Sequence, residues 1–124
     1  MRYMLLIYLD EQALNETERK ECYAESTQLA QDLYSNGQFL ATAPLHPTST
    51  ATSVRVRDGK RLVTDGPFAE TREQLGGYFL IDARDLDEAI GIASRIPGAR
   101  IGTVEIRPVI EVAGLPAGPS SQSV

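Results

Sequence analysis

The chain has 124 residues, 42% hydrophobic and 23% charged, with a formal net charge of −5 and a pI near 4.8. That length suits one domain able to bury its own core, and the acidic balance repels phosphate backbones, which argues against nucleic acid as a partner. The single cysteine, Cys22, excludes an internal disulfide, and no apolar run approaches the roughly 20 residues of a membrane-spanning helix.

Tyr3 to Leu9 is a short apolar run rich in strand formers, closed by Asp10 and Glu11, and reads as a first strand. Asn15 followed by Glu18 has the spacing of a capping box and predicts a helix start. Cys22, Ser26, Leu29, Ala30 and Leu33 then recur at three- and four-residue spacing along one face, and Asn36-Gly37 supplies a left-handed stop. Cys22 on that stripe reads as a small core residue. Gln38 to Ala43 is a second strand, followed by a loop over Ala43 to Thr52 in which Pro44 and Pro47 each remove a backbone donor.

Val54 and Val56 alternate with Arg55 and Arg57, turn at Asp58-Gly59 and return through Leu62 and Val63, the pattern of a hairpin. Gly76 and Gly77 precede a strand at Tyr78 to Asp82. Asp85 with Glu88 repeats the capping pattern, and Leu86, Ala89, Ile90, Ala93 and Ile96 make a second amphipathic helix that Pro97 and Gly98 end. A last strand covers about Thr103 to Val112, interrupted or at an edge because of Pro108. The organisation expected is one domain over 1–112 and a flexible C-terminal tail over 113–124, whose Gly, Pro and Ser offer little burial.

Strand, helix, strand, inserted hairpin, strand, helix, strand is the split β-α-β order of a ferredoxin-like α+β sandwich. Two helices cover one face of such a sheet, yet both alternating sets of the first strand are apolar or aromatic. A second copy of the chain is the expected cover, giving a homodimer.

The opening RYMLLIY, the run ATSVRVRDGKRLVTDGPFAETREQLGGYFLID, the helix start DLDEAI and the closing VEIRPVIEV resemble the DGPF-domain branch of the YCII-related family. The resemblance covers Arg2 to Val112. It implies the fold of the dimeric α/β-barrel superfamily, small cytoplasmic bacterial proteins, homodimers or larger assemblies with a pocket between the sheet and neighbouring elements, and, for many members, genes near sigma factors of the extracytoplasmic-function type. It also implies an enzymatic role in the core branch through a His and Asp pair; here the first helix carries Cys22 and Tyr23 where that histidine is expected. The start Met1-Arg2 has no signal-peptide pattern, which agrees with a cytoplasmic location.

Asp65, at the end of the hairpin, has two readings. It either bonds its own downstream amides as a turn former or aims a carboxylate into a cavity as an acid or base. Gly66, Pro67, Phe68, Glu70, Arg72, Glu73 and Tyr78 surround it in sequence and complete an expected ligand pocket. His46, the only histidine, is the best proton carrier available and joins Asp65 as the catalytic candidate. No paired His or Cys supports a metal, and no glycine pattern matches a nucleotide-binding loop, so no cofactor is expected. Two functions follow: a small-molecule-binding or regulatory module, or a cofactor-free isomerase- or lactone-processing-like enzyme using acid–base chemistry.

Overall fold

A computed structural model describes residues 1–116 of the chain; most of the expected tail lies outside them. The first strand, β1, spans Arg2–Leu9 and leads to helix α1, Glu16–Ser35. Asn15 and Glu18 form the anticipated capping box: Glu18 N donates to the Asn15 side chain at 2.8 Å, and Asn15 N to the Glu18 carboxylate at 3.0 Å. At the other end Gly37 turns left-handed with φ 73°, letting Gln38 N donate to Leu33 O at 2.8 Å and Gly37 N to Tyr34 O at 3.1 Å. These are the paired bonds of a Schellman stop, which occupy carbonyls the helix leaves free.

Strand β2 (Phe39–Pro44) follows, then a 3₁₀ turn at Thr48–Thr50, then the hairpin of β3 (Thr52–Arg57) and β4 (Lys60–Asp65). Asp58 and Gly59 both have positive φ, 53° and 74°, the requirement of a type I′ turn whose twist suits a hairpin. Strand β5 (Gln74–Asp82) leads to α2 (Leu86–Ser94), the single-turn α3 (Gly98–Ile101) and β6 (Thr103–Pro108).

Three details differ from the expectation. Gly76 and Gly77 lie inside β5, and β2 passes so close to Gly77 that a Cβ there would sit 3.0 Å from Ala43 O. Glu88 accepts from Arg84 N, at 2.9 Å, so the second capping pattern has only the Asp85 half: Glu88 N donates to the Asp85 carboxylate. The last strand stops at Pro108, which has no N–H to continue the ladder.

Four strands form one antiparallel sheet in the order β2-β5-β1-β6, a ferredoxin-like α+β arrangement, while β3 and β4 make a separate two-stranded sheet. Tyr3 and Leu5 face the helices with their cross-strand neighbours Ile81 and Phe79. They pack with Leu29 and Leu33 of α1 and with Ala89, Ile92, Ala93 and Ile96 at α2 into a single core. Truncating a buried leucine such as Leu33 in such a core costs about 2–5 kcal/mol.

The other face of the sheet carries Met4, Leu6 and Tyr8 on β1, flanked by Leu80 and Tyr78 and by Arg107, Glu105 and Thr103. No helix of the described residues covers these partly exposed side chains, so the second apolar face read from β1 is present and open.

Candidate functional site

Beyond the core, towards the C-terminal end of β1, the helices and the sheet do not meet. A cavity of about 870 Å³ opens there between α1, the start of β5, the connection after β2, and the α2–α3 corner, within the size range of small-molecule sites. Its origin is in the side-chain sizes along α1. Leu29 and Leu33 fill the space they face, whereas Cys22, Ser26 and Ala30, one turn apart, are too small to do so. On the opposite wall Gly76, Gly77 and Gly98 contribute no side chain. Gly98 also has no room for one, since a Cβ would stand 2.5 Å from the Ile7 methyl.

The lining is largely apolar, with Ile7, Leu9, Phe79, Ile96 and Pro97, and the charged and ionisable side chains among it are Glu11, Arg19 and His46, of which Arg19 and His46 are exposed at the mouth. Glu11 is already engaged. Its carboxylate accepts from Thr48 N at 2.8 Å and from Thr48 Oγ1 at 2.7 Å, pinning the 3₁₀ turn that roofs the cavity. Leu45 N donates to Gly76 O at 2.8 Å and fixes the near end of the same roof. Arg19 reaches only the backbone oxygen of Glu11, at 3.4 Å, and pairs with no carboxylate among the described residues. The mouth therefore has one bound anion and one cation available to a ligand.

Two ion pairs hold α1 to the opposite helices. Arg100 of α3 grips Glu25 with two bonds, of 2.9 and 2.7 Å, and Arg95 meets Asp32 at 2.6 Å. Both carboxyls are held below their usual range, Glu25 chiefly by its hydrogen bond from Arg100, Asp32 by those from Gln28 and Arg95. The Cys22 thiol is pushed the other way, first by burial and then by the charge of Glu25, so it stays protonated at neutral pH.

The sequence candidates fall in two places. His46 lies on the cavity rim, exposed to solvent. Asp65 ends β4 opposite Thr52, exposed, and its carboxylate accepts no hydrogen bond among the described residues. The turn is held instead by Gly66, whose φ of 101° only glycine adopts readily: its N–H donates to Ala51 O at 2.7 Å and its oxygen accepts from Ser53 Oγ at 2.7 Å. Pro67, Phe68, Glu70 and Arg72 are exposed around it, Glu73 accepts from Thr103 Oγ1 at 3.0 Å, and Tyr78 is on the open sheet face opposite Leu6. None of these lines the cavity. The residues missed from sequence were Glu11, Arg19 and the small-residue stripe of α1; that stripe, too small for a core of this width, was the available signal. Among the described residues no group of three His, Cys, Asp or Glu side chains converges on a metal-sized site.

The YCII-related domain family matches residues 1–113, nearly the whole described fold. The chain belongs to the YCII-related family. An uncharacterized protein of Rhizobium meliloti (strain 1021) is 36% identical to it over 114 residues, covering 88% of this chain and 92% of that protein. The YCII-related domain thus includes the cavity, its roof and the hairpin alike. No helix among the described residues is long and apolar enough to cross a membrane.

Proposed function

We propose that this chain is a homodimeric small-molecule-binding module of regulatory or accessory type, belonging to the DGPF branch. The observation that carries the reading is the cavity beside α1, with an apolar interior and Arg19 unpaired at its mouth. Such a lining suits a largely apolar molecule bearing one acidic group. Apolar burial supplies affinity at roughly 25 cal/mol per Å², and the guanidinium orients the acid with a charge-assisted bond. The dimer is argued from the open sheet face, whose apolar side chains a second copy would cover. The neighbourhood of sigma factors implied by the family resemblance is the regulatory setting this reading fits.

Anilinonaphthalene sulfonate, an apolar anion of suitable size, tests the pocket by fluorescence titration. Binding should weaken about tenfold in Arg19→Gln, the loss of one charge-assisted hydrogen bond, and vanish in Ser26→Trp, which fills the space from the α1 side. Parent-like titration of both variants would place the dye elsewhere and end the proposal. His46 on the rim favours a second reading, acid–base catalysis in the same cavity. Asp65 would take part only from outside the cavity wall, so that reading rests first on His46.

A further inference from the structure

After Arg19, one side of α1 carries no charge. Tyr23, Ser26, Thr27, Ala30, Gln31 and Tyr34 follow one another at helical spacing along it, whereas Lys20, Glu21, Glu25 and Asp32 line no part of the space it faces. That space is the crevice between α1 and β2. Because β2 runs back along the helix, Thr42, Ala43 and Pro44 share the cavity with Tyr23, and Phe39 shares a second groove with Tyr34. The groove, of about 460 Å³ and more open than the cavity, is lined by Thr27, Ala30, Gln31, Tyr34, Ser35 and Phe39. Thr27 and Ala30 belong to both spaces, so the cavity and the groove adjoin across two short side chains. Tyr23 beside the cavity and Tyr34 at the far end of the groove are 46% and 73% exposed.

The trough thus has a cation without a carboxylate partner at one end and uncharged surface for the rest of its length. Along the helix, Arg19 to Ala30 is about 16 Å and Arg19 to Tyr34 about 22 Å, at roughly 1.5 Å per residue. An extended alkyl chain advances roughly 1.25 Å per bond, from bonds of about 1.52 Å at a near-tetrahedral angle. The cavity alone matches about 12 bonds, and cavity with groove about 17. A compact aromatic acid would fill the first and leave the second empty. We infer that the site takes a single-chain carboxylic acid of about 14 to 18 carbons, its carboxylate on Arg19 and its tail laid along α1 past Ala30 to Tyr34. The inference rests on the binding reading above and goes beyond it by fixing the ligand as a long-chain acid and assigning the groove to its tail.

Calorimetric titration of the full-length chain with the even-numbered saturated acids from octanoate to hexadecanoate, below their micelle-forming concentrations, tests it. Each added methylene should tighten binding to the parent about two- to fourfold, the range from half to full burial. Thr27→Phe, at an exposed position between the two spaces, should lower the ratio of hexadecanoate to octanoate affinity about 30-fold, a factor of two for each of some five methylenes turned away. Tyr34→Ala, also exposed, should lower the ratio of hexadecanoate to dodecanoate affinity about fivefold. Dodecanol should bind the parent about tenfold more weakly than dodecanoate, a preference that Arg19→Gln removes. Affinity that levels off by dodecanoate in the parent overturns the long chain while leaving binding of a smaller acid standing. Unchanged ratios in both Thr27→Phe and Tyr34→Ala overturn the route along α1. Loss of self-association in either variant, with its ratio unchanged, gives the groove to a second copy and overturns the assignment too. Dodecanol binding as tightly as dodecanoate overturns the acid. A parent that binds none of the acids overturns the inference, and only dye binding indifferent to both Arg19→Gln and Ser26→Trp removes the proposed pocket with it.

Discussion

Replacing Glu11 by alanine tests the roof of the cavity most directly. The carboxylate closes a bridge from the end of β1 to the connection between β2 and β3, accepting from Thr48 N at 2.8 Å and Thr48 Oγ1 at 2.7 Å. Hydrogen bonds to a charged group contribute about 1.5–3 kcal/mol each, and because Glu11 is half-exposed, about 2 kcal/mol for the pair is the appropriate scale. Glutamine keeps one acceptor for the amide and a donor for the hydroxyl, so Glu11→Gln should lose about 1 kcal/mol. The 3₁₀ turn depends on the tie: Thr50 N bonds Pro47 O at 2.9 Å and Ala51 N bonds Thr48 O at 3.0 Å, with few apolar contacts to hold them otherwise. Amide exchange reads the effect locally, and the Thr48 amide of Glu11→Ala should exchange about 30-fold faster, the equivalent of 2 kcal/mol. Urea unfolding should show a smaller loss, since the core of Leu5, Leu33 and Phe79 is remote from the tie. Parent-like exchange at Thr48 in the alanine variant would refute the claim that Glu11 holds the roof.

Gly66→Ala should cost about 1–3 kcal/mol in thermal melts, because φ 101° is strained for any side chain even though a Cβ there meets nothing. Asp65→Asn and Asp65→Ala should both stay within about 0.5 kcal/mol of the parent, as expected of an exposed carboxylate that holds no bond. Cys22 should react with maleimide more slowly than a free thiol at pH 8, and Glu25→Gln should speed it by removing an acid that raises the thiol pKa. Glu25 and Asp32 are depressed from ordinary values of 4.5 and 3.8, so their contribution to stability is present above about pH 4.5 and is lost as the pH falls through the lower folded values. The double variant Glu25→Gln with Asp32→Asn should therefore flatten the acid limb of the stability curve, modestly and less so at high salt, given how exposed both pairs are.

Local chemistry was legible wherever one residue dictates backbone geometry. Asn15-Glu18, Asn36-Gly37, Asp58-Gly59 and Asp85 each placed an element end correctly, and alternation in β1 disclosed a sheet with two apolar faces. What escaped the sequence depended on distances between elements. The glycines at 76 and 77 read in sequence as preceding a strand, but they lie inside β5, Gly77 at its close crossing with β2. The cavity arises from the mismatch between a stripe of small residues on α1 and the breadth of sheet it spans, which no periodicity expresses. Asp65 drew notice because it stands next to a glycine and a proline in an acidic run, but the bonds that make the turn belong to Gly66, Ala51 and Ser53.

The connection between β2 and β3 ties the cavity roof to the base of the hairpin. Its first part, through Thr48, roofs the cavity; three residues later Ala51 accepts from Gly66, and Ser53 bonds the Gly66 oxygen, closing the base of the hairpin. A short segment is thus pinned at Thr48 by Glu11 and at Ala51 by the hairpin base. The Asp65–Phe68 run sits at that junction, outside the cavity. Gly66, with φ 101°, makes the turn there and returns the chain to Ala51 and Ser53.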